Sequence, residues 1–410
     1  MLRHRVFTRL FVLSAALLAA CANSPGPGAA TLPPATGVTA GAGPTTPAAQ
    51  VATAVQGAAS PTAAPLVSTP GATAASEVTA TAQPEPTTTI PGLIGPDNFA
   101  ANVNPLTGLV VEDVSRLNRR PLAIKISNYP AVVRPQSGLN SADLVFEHYA
   151  EGGVTRFTAV FYANDADPVG SVRSARLIDL EIPKMYDAAF AYSGSSGPVR
   201  LMLHDSVFFD RIISPDFGHG GFYRVEDPNK AIEHTLFTDT GRLRAILDER
   251  GLNTRPQFQT NMAFLEEAPD GGAPASSIEI RYAGTNAFWR YDPITDGYMR
   301  STDGVAQVDA NTGNPLNFKN VIVVGAHHED TGILEDQVGG GHYSIQIQIW
   351  GEGPVSIFRN GQRYEGRWRR ESPEDMLTFY DMEGNILPLA PGNSFFQLVP
   401  LGFEGLVVTQ

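Results

Sequence analysis

The sequence predicts an α/β N-terminal domain, a mixed sheet with flanking helices, followed by a smaller and mostly antiparallel β domain. Strand and helix patterns alternate over residues 99–268, whereas residues 275–410 carry short strands between tight turns. The stretch Glu266–Ser277 is rich in Pro and Gly and lacks apolar periodicity, which is typical of an interdomain linker.

Residues 1–20 predict a lipoprotein signal peptide. Arg3, Arg5 and Arg9 precede an apolar run that ends at Ala20 and is too short to span a bilayer. The run closes on "LLAAC", in which Cys21 is the single cysteine of the chain and is expected to carry the lipid, including palmitate. We therefore expect the protein on the outer face of the cell membrane, held by the lipid anchor.

Residues 21–98 predict a disordered stalk. The segment is dominated by Ala, Thr and Pro, and such a composition buries too little apolar surface to offset the entropy of folding. The net charge is -13, and loss of three signal arginines would make it -16. This negative charge argues against nucleic acid as a partner.

The N-terminal domain shows three well-defined elements. "PLAIKIS" places Leu122, Ile124 and Ile126 on one face of a strand, and "TRFTAVFYA" is apolar on both faces, as in a central strand. "TDTGRLRAILDERGL" predicts a helix capped by Thr238 or Thr240 and closed by Gly251.

The C-terminal domain is punctuated by hairpin signals. An Asp, Asn or Glu followed by Gly occurs at Asp296, Asp303, Asn360 and Glu383, between runs such as "NVIVVGA" and "YSIQIQIW". Such dipeptides favour the left-handed backbone of tight hairpin turns.

Several ordered motifs resemble one family. They are "NPLTGL" (104–109), "RPQSGLNSADLVFE" (134–147), "EGGVTRF" (151–157), "VGSVRSAR" (169–176), "YDAAFAYSGSS" (186–196), "NGQRYEGRW" (360–368) and the closing "LPLAPGNSFFQLVP". From about residue 104 to its end the chain resembles the YerB-like family of uncharacterised bacterial lipoproteins. The resemblance implies an α/β domain joined to a smaller β-rich domain on a lipid anchor, and it implies no activity.

Four arginines form the main candidate site. In "VGSVRSARLID" an amphipathic helix is expected to begin after Gly170 and Ser171, and arginines in its first turn oppose the helix dipole unless an anion is near. Loops at strand ends meet at one edge of an α/β sheet, where the guanidinium groups could bind carboxylate or phosphate. The candidate anion-binding residues are Arg134, Arg156, Arg173, Arg176, Ser171 and Ser174. The alternative, left open, is that these arginines pair with internal carboxylates of Glu147, Glu151, Asp143 or Asp179.

These observations favour a non-catalytic lipoprotein that binds an anionic envelope polymer, a small anion or an envelope protein. The alternative is an envelope hydrolase, with or without a metal ion, whose pocket contains His204, Asp205 and His234. Neither His- and carboxylate-rich segment, 204–219 or 327–336, has a recognised ligand spacing, so no metal and no cofactor are predicted.

Overall fold

The computed structural model describes residues 90–337 and 340–410, which fall in one compact unit. The predicted signal peptide, Cys21 and the predicted stalk as far as residue 89 lie outside the described residues. Within the described ranges, no helix is long and apolar enough to cross a membrane.

The N-terminal part of the described chain forms short strands and few helices. Its strands are β1 (Leu122–Ser127), β2 (Leu144–Tyr149), β3 (Thr155–Phe161), β4 (Val169–Gly170), β5 (Ala189–Ala191), β6 (Ile212–Ile213), β7 (Tyr223–Arg224) and β8 (Leu236–Thr238). Its α-helices are α1 (Ile182–Met185), α2 (Gly197–His204) and α3 (Thr240–Glu249). Its 3-10 helices are Val114–Asn118, Ala131–Val133, Leu139–Ser141, Glu151–Gly153, Leu177–Leu180, Phe209–Arg211, Pro215–Phe217 and Ile232–His234.

The C-terminal part is built from strands. They are β9 (Ala273–Pro274), β10 (Ser277–Arg281), β11 (Asn286–Asp292), β12 (Gly297–Thr302), β13 (Val305–Ala306), β14 (Asn317–Phe318), β15 (Asn320–Asp336), β16 (His342–Gln348), β17 (Gly351–Arg359), β18 (Gln362–Arg370), β19 (Thr378–Tyr380), β20 (Ser394–Pro400) and β21 (Leu406–Thr409). The predicted turns at Asp296, Asp303 and Asn360 are confirmed, since all three residues have positive φ between neighbouring strands.

One twelve-stranded sheet is shared by both parts of the chain. Its order is β19-β18-β17-β15-β20-β2-β3-β1-β5-β6, with β16 beside β15 and β9 beside β18. Strand β20 lies between β2 and β15 and is parallel to both. A second sheet, β13-β12-β11-β10-β21 with β14 beside β12, is antiparallel, and β4-β8-β7 form a small third sheet. The prediction of a mixed sheet is confirmed, but the sharing of one sheet was not foreseen.

The shared sheet is buried on both faces. In β2, Phe146 points into one core and Val145 into the other, because successive side chains of a strand point to opposite faces. The second core includes Trp289 of the antiparallel sheet and Leu243 of α3. The central position predicted for "TRFTAVFYA" is confirmed, since β3 is fully buried between β1 and β2.

The helices differ from the prediction. Asp239 caps α3 through a 2.8 Å bond from the N–H of Arg242, so the predicted cap at Thr238 or Thr240 is wrong. The segment after Gly170 is extended, and a short 3-10 helix begins only at Leu177. Flanking α-helices are therefore fewer and shorter in the described chain than predicted.

The last residues assigned to the stalk pack on the fold. Ile94 pairs with Phe264, the two residues exchanging main-chain bonds of 2.8 and 2.9 Å. Ile94 also packs on the apolar core. Its large apolar side chain gains free energy when it is buried, whereas the small and polar residues of the Ala-, Thr- and Pro-rich stretch gain little. The folded part therefore begins before residue 99.

A buried ion pair joins the two sheets. Arg300 of β12 donates to Glu147 of β2 at 2.8 Å, and both side chains are inaccessible to solvent. Asn128 and Thr155 donate to the other Glu147 oxygen at 3.1 and 2.7 Å. The Arg300 guanidinium also lies 5.0 Å from the Trp289 ring centre. Glu147 is thus engaged between the sheets.

Replacement of Arg300 by Met should lower the free energy of unfolding by about 3 to 5 kcal/mol, because the Glu147 carboxylate would stay buried without its cation. The double variant Arg300→Met, Glu147→Gln should recover part of this loss. Urea titration followed by tryptophan fluorescence measures both. The control Arg281→Met, at an exposed ion pair with Glu279, should leave the midpoint unchanged. Equal stability of Arg300→Met and the parent would contradict the expectation.

Candidate functional site

The loops of interest lie at one edge of the shared sheet. Strands β1, β2, β5, β6, β15 and β20 run in the same direction, so their carboxyl ends share this edge. The N–H of Arg173 donates to the Lys125 carbonyl of β1 at 3.0 Å. Arg156 lies at the start of the antiparallel β3, and its Nη1 donates to the Ser174 carbonyl at 3.3 Å. Ligands of α/β proteins commonly bind at such an edge.

Arg156 and Arg176 share one carboxylate. Arg156 Nη2 donates to Glu151 Oε1 at 2.8 Å, and Arg176 donates to both Glu151 oxygens through Nε and Nη2. Each of the three side chains is about nine-tenths buried. Burial raises the pKa of Glu151, but the hydrogen bond from Arg176 and the charges of both arginines lower it more, to about 2. Glu151 is therefore an internal anion for two of the four arginines.

A second carboxylate reaches Arg176 from the C-terminal part. Glu335, near the end of β15, has Oε2 at 3.6 Å from Arg176 Nη1. Its Oε1 accepts a 3.1 Å bond from Ser196 Oγ and a further bond from Ser344 Oγ. Because the Glu335 side chain is only 2% exposed, this carboxylate is held inside the protein.

A buried lysine, Lys125, is connected to this cluster through Asp179. Lys125 Nζ lies 2.8 Å from Asp179 Oδ2 and 2.6 Å from His148 Nε2. Asp179 in turn accepts the main-chain N–H of Arg176 at 2.7 Å. Burial lowers the pKa of Lys125 to about 8 against the opposing effect of Asp179. Burial and the Lys125 charge lower the pKa of His148, so its neutral ring accepts from Lys125 while Nδ1 donates to the Tyr149 carbonyl at 2.9 Å.

Arg134 and Asp143 lie apart from this cluster. Arg134 donates to Asp303 at 2.6 Å and so joins the two parts of the chain. Asp143 precedes β2 at the opposite edge of the sheet and accepts from Asn104 Nδ2 at 2.7 Å. Burial raises the pKa of Asp143 to about 6, although the Tyr162 N–H and Asn104 lower it. Neither residue contacts Arg156, Arg173 or Arg176 within the described part of the chain.

Arg173 differs from the other three arginines. Its Nη1 donates only to the Glu233 carbonyl, at 3.2 Å, and its buried Nε has no hydrogen-bond partner in the described residues. The same part of the chain holds no carboxylate at ion-pair distance from it. Burial lowers its pKa, Glu233 raises it, and Arg176 lowers it. Arg173 thus brings a positive charge that has no paired anion.

The donors around Arg173 lie on two neighbouring segments, 169–173 and 233–238, which together are called the ribbon below. Val169 pairs with Thr238 in the sheet β4-β8-β7, and the Val172 N–H donates to the Leu236 carbonyl at 2.7 Å. His234 is the last residue of the 3-10 helix that precedes β8. On this ribbon Ser171 Oγ and His234 Nδ1 are buried and have no hydrogen-bond partner within the described ranges. Buried polar atoms are seldom left unpaired, so these atoms require an explanation. Burial and the charge of Arg173 lower the pKa of His234, which favours its neutral form.

Ser174 lies beside a close approach of two loops. A Cβ placed on Gly194, which has a φ of +86°, would lie 2.9 Å from Ser174 Oγ. The N–H of Ala175 donates to the Gly194 carbonyl at 3.0 Å. Glycine is therefore required at 194 both for its backbone conformation and for space.

The candidate catalytic residues are not brought together. His204 Nδ1 lies 2.9 Å from Asp205 Oδ1, and both side chains are more than half exposed at the end of α2. No contact joins His204 to His234 in the described chain. Ser195 Oγ donates to Asp216 at 3.0 Å instead of to a histidine. No group of three or more His, Cys, Asp or Glu residues able to hold a metal occurs among the described residues.

Sequence reasoning missed two members of the site and one of its contacts. Lys125 is the one charged residue in "PLAIKIS", and its position in an apolar strand was the available signal for a buried ion pair. Glu335 lies in the segment 327–336, which the sequence marked only as rich in His and carboxylates, and nothing local connects it with Arg176. The approach of Arg173 to residues 233 and 234 depends on the pairing of β4 with β8, which are two and three residues long.

Family models, a curated relative and a solved structure all indicate the same protein family. The model described as "Protein of unknown function (DUF3048) N-terminal domain" matches residues 106–253, and the corresponding C-terminal domain matches residues 278–396. The "Putative lipoprotein YerB" of Bacillus subtilis (strain 168) is 30% identical over 310 residues, covering 74% of this chain and 88% of that protein. The crystal structure of YerB from Bacillus subtilis is similar with a TM-score of 0.61 at 27% identity, covering 75% of this chain and 99% of that one.

Replacement of Arg176 by Gln should lower the free energy of unfolding by about 3 kcal/mol at pH 7, because Glu151 and Glu335 would lose a shared buried cation. The matched variant Arg173→Gln should cost at most about 1 kcal/mol, because it loses one bond to a carbonyl.

The dependence of the unfolding free energy on pH should report the ion pair between Glu151 and Arg176. The pKa of Glu151 is lowered from 4.5 to about 2, so its stabilisation is complete above pH 4.5 and is lost as the pH falls towards 2. Arg176→Gln should flatten this part of the curve of unfolding free energy against pH. Parallel curves for Arg176→Gln and the parent would refute the assignment.

Proposed function

The chain belongs to the DUF3048 family of YerB-like proteins, and from this premise we propose that it is a lipid-anchored extracytoplasmic protein that binds an anionic group at Arg173. The ligand class is a carboxylate or phosphate, carried by an envelope polymer, a small molecule or an envelope protein. The proposal is for binding without catalysis, since no serine hydroxyl is hydrogen-bonded to a histidine among the described residues.

The anchoring part rests on the first residues and on the relative. A basic lead-in, a short apolar run and the "LLAAC" sequence ending in Cys21 have the order expected of a lipidated N-terminus. The Bacillus subtilis relative carries the name of a putative lipoprotein. These two observations support an anchor at Cys21.

The binding part rests on one observation: three buried polar atoms on the ribbon, Ser171 Oγ, Arg173 Nε and His234 Nδ1, lack a hydrogen-bond partner in the described chain. A hydroxyl and a guanidinium donate, and an imidazole nitrogen donates in one tautomer or when protonated. An oxyanion accepts hydrogen bonds from all three kinds of donor.

The neighbouring arginines explain why the proposed site is confined to Arg173. Arg156 and Arg176 already bind Glu151, and Glu335 adds a second negative charge near Arg176. Their charges are balanced inside the protein, so they fix the loops that carry Arg173 and do not compete for a ligand. In a protein with a net charge of -13, a free cation of this kind is the local feature that an anion can use.

Replacement of Cys21 by Ala should move the protein from the membrane pellet to the soluble fraction. Each buried methylene of an attached acyl chain contributes about 0.8 kcal/mol to membrane binding, and the variant has no thiol to acylate. Fractionation and immunoblotting measure the distribution. The neighbouring variant Ser24→Ala should stay in the pellet, and an unchanged distribution of Cys21→Ala would rule out this anchor.

Replacement of Arg173 by Gln should weaken sulfate binding to the purified protein by about tenfold or more, because a charge-assisted hydrogen bond is lost. Sulfate is the probe because it keeps its charge across the pH range used. Arg200→Gln, at an exposed arginine of α2, is the matched control and should bind as the parent does. Calorimetric titration at low ionic strength gives the affinities.

The affinity of the parent should also rise as the pH falls towards the pKa of His234 in the free protein, which lies below the ordinary histidine value of 6.5. An anion beside His234 favours the protonated ring, so binding takes up a proton and is stronger in acid. Proton NMR of the His234 ring should show its pKa raised by sulfate. Equal sulfate affinity for the parent and Arg173→Gln would overturn the site.

A further inference from the structure

A separate cleft of about 630 Å³ opens at the opposite edge of the shared sheet. It lies where Asp143, Lys319 and Asn393 immediately precede β2, β15 and β20, and its outer wall is the segment 107–113. The volume is within the range of small-molecule sites in proteins, about 300 to 1,000 Å³. The cleft shares no lining residue with the Arg173 site.

The inner wall of the cleft is rigid. Asn393 accepts from the Lys319 N–H at 3.1 Å and donates to the Asn317 carbonyl at 3.1 Å. Asn140 donates to the Pro315 carbonyl at 3.0 Å, and its oxygen accepts from the Asn317 N–H at 3.2 Å. Because these amides are fixed by main-chain groups, the cleft is pre-formed and little ordering is needed when a ligand enters.

The rim carries hydrogen-bond donors and acceptors, and two of its side chains have no partner in the described chain. The side chains of Glu112 and Asn164 are exposed and make no hydrogen bond or ion pair within the described chain. Arg116 donates to the Ala163 carbonyl at 3.0 Å, and its nearest carboxylate oxygens are 3.8 and 3.9 Å away. The rim thus presents a carboxylate acceptor, a guanidinium donor and an amide that does both.

The rest of the outer wall is apolar and exposed. Leu109 is 46% exposed and Val110 is 66% exposed, and Val111 continues the same side of the cleft. Large apolar side chains this exposed beside unused polar groups favour a ligand that has both hydroxyl groups and an aliphatic face.

The charges of the lining give no positive excess. Arg116 lies 3.9 Å from Asp113, Lys319 pairs with Asp296 outside the lining at 3.2 Å, and Glu112 and the buried Asp143 add negative charge. An anionic ligand would therefore find no attractive field here. We propose that this cleft binds a neutral saccharide, whose hydroxyls both donate and accept and whose C–H faces pack on Leu109 and Val110.

The test uses the purified full chain and neutral tetra-N-acetylchitotetraose, with tetragalacturonate as the charged counterpart. Calorimetric titration should give saturable binding of the neutral sugar, and the charged sugar should bind at least tenfold more weakly. Saturation-transfer NMR should show magnetisation reaching the sugar ring protons from the protein.

Glu112→Gln and Asn164→Ala should each weaken binding of the neutral sugar by about tenfold, because the first replaces a charged acceptor oxygen by an NH2 donor and the second removes an amide from the rim. Both positions are exposed, so circular dichroism should show an unchanged fold. Glu374→Gln, at an exposed carboxylate outside the cleft, and Arg173→Gln should bind the sugar as the parent does. Absence of binding, preference for the charged sugar, or equal loss in Glu374→Gln would each overturn the proposal.

Discussion

The parallel pairing of β20 with β2 on one side and β15 on the other is the constraint on which the rest of the structure depends. Its register places Phe395 in one core and Phe396 in the other, so both cores are completed by a strand from the end of the chain. Each core combines side chains from the N-terminal and the C-terminal part of the chain, so the two parts cover both faces of the shared sheet together. The same pairing brings the amino ends of β2, β15 and β20 together at the edge where the cleft lies. It also places β15 in the shared sheet, and Glu335 near the end of β15 lies 3.6 Å from Arg176.

The two arginines of "VGSVRSAR" lie three residues apart and differ in role. Arg176 sits in a network in which Glu151, Glu335 and Asp179 satisfy its side chain and its main-chain N–H. Arg173 lies on the ribbon, where, among the described residues, its side chain donates only to the Glu233 carbonyl. The segment is extended, so its residues point to different surroundings, and the expected conflict with a helix dipole does not arise.

Local patterns predicted local structure well. The alternation in "PLAIKIS" and the Asp-Gly and Asn-Gly turns gave the strands and hairpins, because period and positive φ are properties of a few neighbouring residues. The cap of α3 was missed because Asp239 competed with two threonines that are also good caps. The partners of Arg176 and Glu147 were not predictable. They lie 159 and 153 residues away in sequence, at Glu335 and Arg300, and their meeting depends on strand pairings that leave no local trace.

Buried ion pairs do not by themselves add much stability, because the cost of removing both charges from water offsets most of their attraction. The arrangement around Glu151 therefore needs another reason, and the position of Arg173 supplies one. Arg156 and Arg176 tie the loop at Glu151 to the segment 173–176, while Lys125 and Asp179 hold that segment on β1. A guanidinium held in place by its neighbours loses little entropy when an anion arrives. In the proposed anion site, the paired arginines would therefore pre-organise Arg173 by holding the segment that carries it.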